Sequence, residues 1–83
     1  MSSDYRIKEI NYQIQRTNIE LKNLDKMLFI KKKMRTLTDE DSYSLQQQID
    51  KKQMNIAMLE SDIRRIENEA IRAKNLSREE IRV

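Results

Sequence analysis

The sequence predicts an all-α fold, an antiparallel two-helix coiled-coil hairpin, and three observations support this. Glycine and proline are both absent from the 83 residues, so the usual helix-breaking residues do not interrupt the chain. Apolar residues recur at alternating spacings of three and four, which is typical of a buried helical seam. The two halves also pair at constant height, because the position numbers of Ile14 with Ile63, and of Leu21 with Ile56, add to 77.

The first helix is predicted over about residues 3–35. Ser3 can cap its start, and Asp4 then places a carboxylate at the positive end of the helix dipole. The last turns carry Lys31, Lys32, Lys33 and Arg35, and cations stabilise a helix C-terminus.

The second helix is predicted over about residues 39–74. Thr38 can cap it, and Asp39, Glu40 and Asp41 fill its first turn. This acidic start places the chain reversal near residue 38, which is also half of the pairing sum. The predicted organisation is therefore a helical hairpin domain over 1–74, followed by a C-terminal overhang or short helical turn over 75–83.

Polar residues interrupt the seam at Thr17, Lys31 and Lys52. The pairing sum places Lys31 opposite Leu45 and Lys52 opposite Leu24. Both lysines have long apolar stems that can lie along the seam while the ammonium groups reach water.

Composition excludes several classes of chemistry. The chain has no cysteine and no histidine, so it has no thiolate ligand, no imidazole ligand and no histidine general base. We therefore expect no cofactor, no metal site and no enzymatic activity. No apolar run approaches the roughly 20 residues of a membrane span. A cytoplasmic protein without a membrane partner is expected.

Charge is divided unevenly between the halves. Residues 1–37 carry nine Lys or Arg and four Asp or Glu, whereas residues 38–83 carry eight and ten. This asymmetry favours attraction between two helices of opposite net charge.

A second set of apolar residues lies off the main seam, where a two-helix hairpin cannot bury it well. Exposed apolar surface usually marks a contact, and methionine suits adaptable interfaces. We expect this set to form an oligomer or partner interface, with Ile19 and Met58 at one height. Self-association into a dimer, with two hairpins forming a four-helix bundle, is the favoured arrangement. The predicted interface residues are Ile19, Met27, Ile30, Met34, Met54 and Met58.

The function predicted from these features is that of a small non-enzymatic regulatory or adaptor protein, which binds another protein through coiled-coil surfaces. One alternative is a nucleic-acid-binding helical bundle. The basic residues 31–35 lie beside Phe29, and a pair of such hairpins resembles in architecture the small four-helix-bundle proteins that bind RNA loops. Another alternative is an excerpt of a longer structural coiled coil.

A third alternative comes from residues 37–50, which resemble the small helical-hairpin phosphatases that act on phosphorylated response regulators of sporulation. The signature of that family is Ser-Gln-Glu-Leu-Asp. This chain has Gln47 and Asp50 at matching places and Ile49 for the leucine, but Gln46 and Gln48 replace the serine and the glutamate. The resemblance covers about fourteen of the 83 residues, and the activity that it implies is that of a response-regulator phosphatase.

Overall fold

The computed structural model describes the backbone of residues 3–81 and the side chains of residues 3–75. Two helices account for almost all of it, α1 over Ser3–Lys33 and α2 over Asp39–Ile81. They pack against each other as a hairpin that measures 71 × 17 × 16 Å. These dimensions are those of a rod two helices wide, so the predicted all-α hairpin is confirmed.

The end of α1 is closed by a left-handed residue that is not glycine. Arg35 has a φ of 58°, and the backbone amides of Arg35 and Thr36 donate to the carbonyls of Lys32 and Lys31, at 3.2 and 3.0 Å. This pair of bonds is the Schellman arrangement, which satisfies carbonyl groups that the helix itself leaves unpaired. The chain therefore stops α1 without a glycine.

The start of α2 is capped as predicted. The Asp41 backbone amide donates to Thr38 Oγ1 at 3.1 Å, and the Ser42 amide donates to the Thr38 carbonyl at 2.9 Å. The threonine side chain thus satisfies an amide that has no partner within the helix. The Thr38 cap and the acidic residues of the first turn both favour a helix start here, and α2 begins at Asp39.

Two ion pairs across the helices indicate the register of the hairpin. Lys31 Nζ lies 3.2 Å from Asp41 Oδ2, and Lys52 Nζ donates to Glu20 Oε2. In both pairs the position numbers add to 72. The loop over 34–38 is centred on residue 36, half of that number. The register is therefore shifted by about five residues, somewhat more than one helical turn, from the predicted sum of 77.

This shift corrects the predicted neighbours of the two seam lysines. Lys31 pairs with Asp41 and not across from Leu45, and Lys52 pairs with Glu20 and not across from Leu24. The apolar pattern repeats every three or four residues, so a slip of one turn still places apolar residues against each other. The apolar pattern alone is compatible with both the predicted and the observed register. The short loop and the ion pairs of Lys31 with Asp41 and Lys52 with Glu20 favour the observed one.

The core is narrow. Among the described side chains, the buried apolar residues are Leu45, Ile49 and Ile66, each 5–6% exposed. Thr17 is also buried, and its hydroxyl donates to the Gln13 carbonyl at 2.8 Å, so the polar seam position is satisfied within its own helix. The remaining seam residues are half-buried, as expected where two helices have no third element to cover them.

Helix α2 is longer than predicted, since it continues to Ile81 rather than ending at residue 73 or 74. No glycine or proline follows Asn75 to end it. At about 1.5 Å per residue, α1 spans about 46 Å and α2 about 64 Å, so α2 projects past the start of α1. Ala70 and Ala73 are accordingly exposed. Of the predicted overhang, residues 82 and 83 lie outside the described residues.

Candidate functional site

The described surface carries more large apolar side chains than the core does. Eleven such residues are between 48% and 67% exposed, against three apolar residues that are buried. All six predicted interface residues are in the exposed group: Ile19, Met27, Ile30, Met34, Met54 and Met58. A hairpin with this surface in water has apolar area available for a contact.

The predicted residues do not form a single patch. Ile19 and Ile30 lie on the side of α1 directly opposite its seam, and Met54 lies on the corresponding side of α2, with Met58 near it. In a two-helix hairpin these sides point in opposite directions. Ile19 and Met58 therefore do not share a face, and the register places Ile19 level with residues 53 and 54. Helix geometry therefore argues against the expected joint patch of Ile19 and Met58, because α1 and α2 turn these residues away from each other.

The outward side of α1 has an apolar row that the sequence interpretation recovered only in part. At 100° per residue, Tyr5, Tyr12, Ile19 and Ile30 fall within an arc of about 40°, and all four are exposed. Tyr5 and Tyr12 are not among the six predicted interface residues. The signal for them was the interval of seven residues that separates Tyr5 from Tyr12 and Tyr12 from Ile19. We call these four residues the α1 row.

One edge of the α1 row is lined with lysines. Four of them fall on an arc of about 40° beside the row, and all four are exposed. Asp4 is the single acidic residue of α1 on that arc. None of the four takes part in the ion pairs found among the described side chains, and Lys33 Nζ instead lies 5.9 Å from the centre of the Phe29 ring. We call this set the lysine edge: Lys8, Lys22, Lys26 and Lys33.

Two shallow grooves occur on the outward side of α1. One lies between Ile19 and Phe29 and is more apolar than polar, and its polar lining residues are Lys22, Asn23, Asp25 and Lys26. The other lies between Tyr5 and Tyr12 near the open end, and is also lined by Lys8 and Glu9. Each groove therefore combines members of the α1 row with lysines of its edge.

The carboxylates of the two cross-helix ion pairs have altered acidity. The Lys52 hydrogen bond and charge lower the pKa of Glu20, with a smaller contribution from the Arg16 charge. The Lys31 hydrogen bond and charge likewise lower the pKa of Asp41, and the Thr38 hydroxyl and backbone amide lower it further. Both groups lie at the surface, so these pairs orient the helices more than they stabilise them.

The residues of the phosphatase resemblance are exposed on α2 and hydrogen-bonded within that helix. Gln46 Nε2 donates to Asp50 Oδ1 at 3.0 Å, and Gln47 Nε2 donates to the Tyr43 hydroxyl at 2.7 Å. These contacts are spaced four residues apart along one helix, which is the ordinary spacing of surface side-chain pairs.

Two other kinds of site are absent from the described part of the chain. Among its residues, no three His, Cys, Asp or Glu side chains come together in a group that could hold a metal ion. Neither α1 nor α2, as far as Ile81, contains a stretch long and apolar enough to cross a membrane.

Comparison of this chain with protein families, with curated proteins and with solved structures finds no significant match in any of the three.

Proposed function

We propose that this chain is a small, non-enzymatic regulatory or adaptor protein that acts by binding another protein through coiled-coil surfaces. The observation that carries the proposal is that, among the side chains the structure describes, eleven large apolar ones are exposed and three apolar ones are buried. Association would remove that surface from water, and the hydrophobic effect favours this.

The geometry supports an adaptor in particular. The α1 row and the apolar residues Met54 and Met58 of α2 point in opposite directions, so one hairpin has room for two partners at once. In this proposal one of these faces pairs with a second copy to form a four-helix bundle, and the cytoplasm is the compartment. A thin core in a chain of this size favours such pairing, since small single domains rarely bury enough apolar surface alone.

Nucleic-acid binding at the basic turn is the second candidate, and it has less support. Lys32, Lys33 and Arg35 are exposed there. However, Lys31 is paired with Asp41, and Asp39 and Glu40 follow within a few residues and offset the positive field.

The test replaces one outward residue on each helix with an acid. Ile19→Glu combined with Met54→Glu should leave helix content unchanged, because neither side chain belongs to the seam. It should lower the mass in sedimentation velocity, or abolish cross-linking to a captured protein, because an unpaired charge is costly in an apolar contact. Both readouts are taken on the same samples.

The matched control is Asn18→Glu with Gln53→Glu, which makes the same charge change at exposed polar positions that lie off the outward apolar sides of the same two helices. It should keep the mass and the captured protein. If the Ile19 and Met54 double variant also keeps both, the outward apolar faces do not bind protein and the proposed function fails.

A further inference from the structure

The α1 row and the lysine edge together have the layout of a second helical seam. Tyr5, Tyr12 and Ile19 follow one another at intervals of seven, and Ile30 falls on the same line. The polar Asn23 lies between them on that line, as single polar residues do in coiled-coil seams where they specify register. The row extends over 25 residues, or about 38 Å, which is more than three heptads.

The charges beside the row are those that select a partner in a coiled coil. In such pairs the residues flanking the apolar positions form ion pairs between helices and decide which helices associate. On one flank of the α1 row these residues are Lys8, Lys22, Lys26 and Lys33, with no ion-pair partner for these four among the described side chains. The other flank carries Glu9, Arg16 and Glu20, and Glu20 is already paired with Lys52. A helix that covers the row would therefore be matched best if the side that faces the lysine edge were acidic.

Resting on the proposed function of protein binding, we propose that the outward side of α1 docks an amphipathic helix of a partner protein, with an apolar heptad seam flanked by Asp and Glu. The seam of that helix covers the α1 row, including the groove between Ile19 and Phe29. Its carboxylates pair with the lysine edge.

A second copy of this chain matches the same surface less well. Residues 3–33 carry eight Lys or Arg against four Asp or Glu, so two α1 helices packed on each other would bring together surfaces of like net charge. The outward side of α2 carries both signs, with Asp50 near the closed end and Arg65 and Arg72 towards the open end. It therefore matches the lysine edge only in part.

A membrane surface is also a poorer match. Helices that lie in a bilayer interface present a broad and strongly apolar face. The α1 row occupies an arc of about 40° and includes two tyrosines and Asn23. A narrow row of this kind is typical of helix-on-helix packing.

The test uses two synthetic peptides of four heptads with leucine at a and d. One has Glu at e and g, and the other has Lys there. The full chain should bind the Glu peptide and not the Lys peptide in fluorescence anisotropy. Lys22→Glu with Lys26→Glu should weaken binding of the Glu peptide at least about tenfold and should create binding of the Lys peptide.

Lys51→Glu with Lys74→Glu is the matched control, with the same charge change at exposed positions of α2. It should bind the Glu peptide like the unmodified chain.

Ile19→Ser leaves every charge in place but removes an apolar side chain of the α1 row. Like the lysine-edge variant, it should weaken binding of the Glu peptide. If the lysine-edge variant loses helix content, the test depends on Ile19→Ser and on the salt dependence of the unmodified chain. Binding of the Glu peptide to the unmodified chain should weaken as the salt concentration is raised from about 50 to about 500 mM.

Several outcomes would overturn the proposal. One is failure of the Glu peptide to bind, or equal binding by the lysine-edge variant and its control. Others are preferential binding to anionic vesicles or duplex DNA, or a homodimer that occupies the α1 row. If the Glu peptide fails while Ile19→Glu with Met54→Glu still abolishes capture of a protein, the partner is not an acidic helix but the protein-binding function stands.

Discussion

Arg35 illustrates how a chain without glycine ends a helix. Its φ of 58° lies in the left-handed region, where a side chain with a Cβ atom is disfavoured by roughly 1–2 kcal/mol. The backbone amides of Arg35 and Thr36 donate hydrogen bonds to carbonyls at the end of α1. These two hydrogen bonds and the Thr38 cap hold the turn in place. The residue is therefore in a conformation that its neighbours impose.

Arg35→Gly should raise the free energy of unfolding by about 0.5–1 kcal/mol, because glycine adopts the left-handed region without the steric cost. Urea denaturation measures the change. Arg35→Ala is the control, since it removes the charge and keeps the Cβ atom. If alanine stabilises as much as glycine, then relief of repulsion among the neighbouring lysines is responsible and the backbone account is contradicted.

At the scale of the helices, the cross-helix ion pairs make stability depend on pH. The pKa values of Glu20 and Asp41 are lower in the folded chain than their ordinary values, so the folded state favours their ionised forms. The stability that the pairs contribute is present above the ordinary carboxyl pKa values of about 4. It is lost as the pH falls through the lowered values.

Lowering the pH from 6 to 2.5 should therefore reduce the urea midpoint of the unmodified chain more than that of the variant with Lys31→Met and Lys52→Met. The variant has already lost both pairs, whereas other carboxylates titrate in each protein alike. Lys51→Met is the control at an exposed neighbouring position and should behave like the unmodified chain. Equal losses in all three proteins would show that these pairs make no pH-dependent contribution to stability.

The helices and their turn were predictable because their signals are local. The cap at Thr38, the acidic residues after it and the absence of glycine and proline each depend on residues close in sequence. The register was not predictable, because an apolar pattern of period three and four tolerates a slip of one turn. The partners of Lys31 and Lys52, which distinguish the registers, lie on the opposite helix.

The candidate site was predictable in composition but not in arrangement. Sequence periodicity separated Ile19 and Met58 from the seam, and both are exposed. It did not show that they lie on opposite sides of the hairpin, because that depends on how each helix is rotated about its axis. Tyr43 was missed although its spacing of eleven from Met54 places it on the same side of α2, whereas Ile71 was missed because its spacing does not match that side.

The whole molecule is a thin rod whose inner seam joins the helices and whose outer sides remain open to contact. Both proposals depend on this geometry, because it is the fold-back that turns the α1 row away from α2. A single continuous helix would instead expose the seam and the row together.

The most direct test of the account is a distance measurement by pulsed electron spin resonance. Spin labels are attached at the exposed positions Asn18 and Asn55, after each is replaced with cysteine, and the labelled chain is diluted with excess unlabelled protein. The hairpin predicts a separation below about 30 Å, since packed helix axes lie about 8–10 Å apart and the labels add the rest. A separation near 55 Å, about 37 residues at 1.5 Å each, would mean one continuous helix and would contradict the account.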